Sequence, residues 1–167
     1  MIGVVSLLDD EHRLGYESLA PGNHRHIAVP HISYHMARAY TWDHVRSGLE
    51  EIAAETAPLL VVADAVAIFE SIPAVVYLTV NDERPLRDLQ RKVYARMRPH
   101  AQEPDDHYTP HAWVPRITIS AGIDPQEATK LAQSLRSKKI QWNIRIENLA
   151  FVKVDHGDCL IGGRTAL

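Results

Sequence analysis

Pro30-His31-Ile32-Ser33-Tyr34 and Pro115-Arg116-Ile117-Thr118-Ile119 share one pattern: proline, basic residue, isoleucine, hydroxyl, apolar residue. The two basic positions stand 85 residues apart. On a strand, successive side chains point to opposite faces. His31, Ser33 and His35 therefore share one face, and Ile32, Tyr34 and Met36 the other. In the second segment Arg116, Thr118 and Ser120 oppose Pro115, Ile117, Ile119 and Ala121. The apolar faces belong in a core. Laid side by side about a pseudo-twofold axis, the polar faces line a pocket with one basic group and one hydroxyl from each half. That is a cradle for a phosphoryl group, with cationic donors at its charge and neutral O–H donors at its non-bridging oxygens.

Capped helices follow both segments, because apolar residues there recur at three and four positions. Thr41 can cap a stripe of Trp42, Val45, Leu49, Ile52 and Ala53, which puts Trp42 in the core. Asp124, Pro125 and Glu127 form a cap, a first-turn proline and a capping acid ahead of Ala128, Leu131, Ala132 and Leu135. Between them Pro85 opens a third helix through Leu86, Leu89, Val93 and Met97, which Pro99 stops. Alternating or β-branched runs at 3–8, 27–36, 59–69, 73–80, 113–121, 143–154 and 159–161 read as strands. Asp155-His156-Gly157-Asp158 is turn chemistry that closes a C-terminal hairpin. Strands and helices are mixed without strict alternation, so the fold class is α+β rather than a doubly wound parallel sheet.

The length of 167 residues predicts one domain over 1–167. Eighteen Lys and Arg against 21 Asp and Glu leave a net charge of −3, which excludes a charge-driven binder of long duplex nucleic acid or of an acidic membrane. A single cysteine, Cys159, cannot form an intrachain disulfide and fits a reducing cytoplasm. The sequence shows neither a membrane span nor a signal peptide. Ten histidines invite a metal, and His31/His35 and His107/His111 have i,i+4 spacing. That spacing converges on a metal only from a helix. Pro30 and its β-branched neighbours make the first pair a strand, and Pro110 splits the second, so no metal site is expected.

With these motifs the chain resembles the two-histidine phosphoesterases, the superfamily of bacterial 2'-5' RNA ligase-like proteins and cyclic nucleotide phosphodiesterases. Its hallmark is two copies of His-x-Thr/Ser on strands at comparable separation. His31-Ile32-Ser33 matches the first copy, and the stretch from Tyr108 to Ile119 looks like the second with arginine in place of histidine. The resemblance implies a bilobal α+β fold of antiparallel sheets around a central groove. It also implies hydrolysis of a 2',3'-cyclic phosphate or related phosphodiester on a nucleotide or RNA end, without metal or cofactor. His31 is then a catalytic acid or base, and Ser33 and Thr118 bind phosphate.

Arg116 departs from that pattern. A guanidinium does not deprotonate in proteins, so it binds and orients phosphate but cannot serve as the base and is a poor acid. Losing one proton-transfer partner slows such a reaction by about 10² to 10⁴-fold unless another group takes the role. His35, at the groove's end, and His107 and His111, on the entering loop, read as rim or loop residues rather than replacements. Trp113 alternates onto the core side, which leaves Tyr108 and Trp142 as the aromatic candidates for base stacking. The alternative reading of the same residues is a groove that binds a nucleotide or RNA end without turning it over.

Overall fold

The computed structural model describes residues 1–19, 29–81, 83–155 and 158–167. Through them the chain runs β1 (Ile2–Leu7), α1 (Asp10–Glu17), β2 (His31–Tyr40), α2 (Trp42–Ala54), β3 (Leu59–Phe69), β4 (Ala74–Val80) and α3 (Arg84–Met97). It continues with β5 (Ala101–Pro104), β6 (Arg116–Ile123), α4 (Pro125–Ser137), β7 (Trp142–Ile146), β8 (Asn148–Asp155) and β9 (Asp158–Ala166). The strands lie in the order β7-β3-β4-β6-β2-β1-β8-β9, with β5 added to β2. Every recorded pairing is antiparallel. This is the expected α+β class.

The order divides between β6 and β2, which meet at the single residue pair Ile32–Ile117. Four strands lie on each side of that junction. Six of these eight strands fall in two β-α-β-α-β runs, β1-α1-β2-α2-β3 and, passing over β5 and β7, β4-α3-β6-α4-β8; β7 and β9 add one strand at each outer edge. Each unit hands its last strand to the other's sheet, β3 beside β4 and β8 beside β1. Helices are exchanged likewise. α3 packs on β2, while the Tyr16 hydroxyl of α1 donates to the Thr118 carbonyl of β6 at 2.8 Å. The main core joins Ile32 and Ile117 to the buried stripes of α2, α3 and α4, the faces that the helical spacing marks as apolar.

Several expectations shift. Trp42 is 49% exposed, with its ring edge-on to Phe151 at 5.3 Å. It sits in the first turn of α2, before the helix meets the sheet, and the buried stripe starts at Val45. Thr41 occupies the cap position without a side-chain bond, whereas Asp124 accepts from the Gln126 amide at 2.8 Å. The 143–154 run is two strands, parted at Glu147 and sent to different lobes. The 27–36 run begins as a strand at His31; Ile27 and Ala28 lie outside the described residues. Helix α1 and strand β5 are absent from the sequence reading, because α1 buries only Tyr16 and β5 has four residues. The hairpin forms through the Asp155–Asp158 pair; His156 and Gly157 lie outside the described residues. No described helix is long and apolar enough to cross a membrane.

Candidate active site

The junction between the lobes is also where the two motifs meet. Ile32 and Ile117 both point into the core, so alternation turns His31, Ser33, Arg116 and Thr118 to the opposite face at this junction. Ser33 and Thr118 are half-buried, and neither hydroxyl has a hydrogen-bond partner among the described residues. Both are free to donate to a ligand.

His31 is buried, and its Nδ1 lies 2.6 Å from the Val29 carbonyl. A carbonyl only accepts, so Nδ1 carries the hydrogen and neutral His31 keeps its lone pair on Nε2. Burial lowers the pKa of His31 below its ordinary value of 6.5. The Val29 bond pulls the other way, and the nearby Arg116 charge adds to the lowering. A histidine in this state is neutral near pH 7 and accepts a proton through Nε2.

Arg116 is held by three residues, Val114, Tyr108 and Phe69. Its guanidinium donates to the Val114 carbonyl at 3.0 Å and to the Tyr108 hydroxyl at 3.2 Å. It also lies 5.0 Å from the Phe69 ring centroid and 5.3 Å from that of Tyr108. Tyr77 pairs with Thr118 and so shares its face, and Phe69 stacks on Tyr77 at 4.5 Å. The β4–β6 side of the junction is therefore aromatic and cationic. The β1 side is apolar: Leu7 pairs with His31 and belongs to a separate buried cluster with Val5, Ala150, Val152 and Cys159. Burial pushes the Cys159 thiol up, away from nucleophilic use.

His35 does not reach the groove. Val4 pairs with His35 but Val5 with Ser33, so β2 carries an extra residue at Tyr34 and the alternation breaks there. His35 is fully buried, its Nδ1 2.6 Å from the Tyr40 hydroxyl and its ring between those of Tyr40 and Tyr94. His107 is exposed and pairs with Asp105 at 2.7 Å; His111 is exposed. Trp113 is buried as its alternation predicts, and its indole N–H donates to the Ser33 carbonyl at 2.8 Å. Trp142 packs beside His12 and Gly15 of α1, and Tyr108 touches Arg116. Among the described residues no three His, Cys, Asp or Glu side chains gather as a metal-ligand set would. Sequence reading missed Phe69 and Tyr77, since only cross-strand register brings them to Thr118.

The family model of the 2'-5' RNA ligase superfamily matches residues 10–158. The chain belongs to the 2'-5' RNA ligase superfamily. The fold agrees with solved structures of low sequence identity. A solved phosphoesterase superposes with a TM-score of 0.65 at 15% identity, covering 99% of this chain and 97% of its own. E. coli LigT complexed with 3'-AMP gives 0.65 at 13% identity over 99% and 97% of the two chains, and LigT complexed with NADP+ gives 0.64 at 13% over 99% and 96%. No curated protein sequence matches this chain. Membership of this superfamily makes the protein phosphoesterase-like.

Proposed function

We propose that residues 1–167 act as one two-histidine phosphoesterase-like domain that hydrolyses a 2',3'-cyclic phosphate on a nucleotide or RNA end, without metal, in the cytoplasm. The observation that supports this reading is the single β2–β6 pair, Ile32–Ile117, whose flanking residues His31, Ser33, Arg116 and Thr118 fall on one face by alternation. Neutral His31 takes a proton from water through Nε2 as the water oxygen attacks phosphorus. Arg116 and the two hydroxyls hold the non-bridging oxygens as charge builds on them. The complex of LigT with 3'-AMP supports a nucleoside 3'-phosphate as the product class, formed here when the bond from phosphorus to the ribose 2'-oxygen breaks.

The test is turnover of a 2',3'-cyclic mononucleotide in the presence of a chelator. The wild type should open the ring, and His31→Ala should lose about 10²-fold or more. Ligand-induced thermal stabilisation without turnover would assign the alternative, a binding module for nucleotide or RNA ends. Turnover abolished by the chelator would contradict the mechanism.

A further inference from the structure

Hydrolysis at this site needs a second proton transfer, to the departing ribose oxygen, and Arg116 cannot supply it. The histidines weighed for that role are all elsewhere: His35 is in the core, His107 is exposed and tied to Asp105, and His111 is exposed. Tyr108 is not elsewhere. Its hydroxyl accepts a hydrogen from Arg116 at 3.2 Å, which leaves the phenolic hydrogen free to be given to another acceptor. The ring is half-buried beside the guanidinium, on the aromatic side of the groove.

The segment that carries Tyr108 is fastened along β2. The Asp105 amide donates to the Met36 carbonyl at 2.9 Å, and the Trp113 indole takes the Ser33 carbonyl. Between them Gln90, buried in α3, bonds both the Tyr34 carbonyl at 3.3 Å and the Tyr108 carbonyl at 2.8 Å. Tyr108 is thus placed by backbone contacts to the strand that carries His31, and its hydroxyl by the residue that stands in for the second histidine.

Resting on the hydrolase reading above, we propose that Tyr108 is the general acid of the reaction, with Arg116 holding its hydroxyl in place. Water attacks phosphorus and gives its proton to His31 Nε2. The bond from phosphorus to the ribose oxygen breaks with its electron pair on oxygen, and that oxygen takes the Tyr108 proton. The phenolate so formed sits against the Arg116 guanidinium, which stabilises the charge until a proton returns from His31 through solvent.

A pair of substrates tests this. A 2',3'-cyclic nucleotide expels an alkoxide that needs a proton, whereas a nucleoside 3'-(para-nitrophenyl) phosphate expels a stable anion that does not. Tyr108→Phe should lower kcat on the cyclic substrate by about 10²-fold and leave kcat on the nitrophenyl ester within a few-fold of wild type, with the melting temperature showing that it folds. Equal losses on both substrates would make Tyr108 structural and overturn the proposal. So would a leaving-group-dependent loss in Tyr77→Phe that Tyr108→Phe lacks. A wild type that turns over neither substrate would remove the hydrolase reading itself, and the proposal with it.

Discussion

At the scale of single residues, the resemblance to the two-histidine pattern sets Arg116 where that pattern has its second histidine. Arg116 keeps the anion-binding half of a histidine's work and gives up the proton-transfer half. Sulfate or a nucleoside monophosphate should therefore raise the melting temperature of the wild type, and Arg116→Ala should remove most of that shift, since a charge-assisted bond of about 1.5–3 kcal/mol is lost. An unchanged shift would put the anion elsewhere. For His31 the lowered pKa sets the pH dependence. The neutral base persists below pH 6.5, so the acid limb of kcat/KM should fall beneath that ordinary value, and a limb above it would contradict the burial argument. His35 carries a different pH effect. Its folded pKa is pushed down to about 4 by burial and by the nearby Arg98 charge, against an ordinary 6.5. Between those values the unfolded chain binds a proton that the folded chain does not, so stability falls as pH drops from 6.5 to about 4, by up to about 3 kcal/mol. Urea unfolding at pH 7 and pH 5 should show the slope in wild type and a smaller slope in His35→Leu, whatever that variant loses at pH 7. The alternation of side chains along a strand made His31, Ser33, Arg116 and Thr118 legible as one polar set. The same rule misplaced His35, because a bulge is set by the partner strand β1 and leaves no mark in the alternation of β2 itself.

At the scale of elements, β2 does three jobs along one edge. It meets β6 at Ile32, takes the 105–113 segment on its Ser33, Tyr34 and Met36 carbonyls, and pairs with β5 from Ala37 to Tyr40. Gln90 is the bridge in the middle of this arrangement. Replacing it with leucine leaves two carbonyls without their donor, so Gln90→Leu should cost about 1–3 kcal/mol in urea unfolding and lower turnover as Tyr108 loosens. Asp124→Ala gives the contrast. It removes the α4 cap, should cost about 1 kcal/mol, and should leave turnover unchanged because α4 does not line the groove. A Gln90→Leu protein with full activity would show that the segment keeps its place without the bridge. The helices with strong periodicity, α2, α3 and α4, could be read from spacing and caps. Helix α1 could not, because one buried residue makes no stripe, and Tyr108 gained its role only from carbonyls on a strand far away in sequence.

At the scale of the whole molecule, the five-residue echo between the motifs corresponds to a near-symmetric arrangement of two β-α-β-α-β units. The echo is confined to the residues flanking the β2–β6 junction, while the exchanged strands β3 and β8 share no sequence signal. Because β2 and β6 pair through Ile32 and Ile117 alone, the sheet ladder is thinnest between the two motifs. A ligand held by both motifs adds the bonds that the sheet lacks there. The central claim is that both motifs converge on one phosphate, and a crystal structure with a bound nucleoside 3'-phosphate tests it most directly. The account predicts the phosphate within hydrogen-bond reach of His31 Nε2, the Ser33 and Thr118 hydroxyls and the Arg116 guanidinium, with the Tyr108 hydroxyl facing the ribose 2'-oxygen. A phosphate bound by only one of the two motifs, or outside the groove, would contradict it.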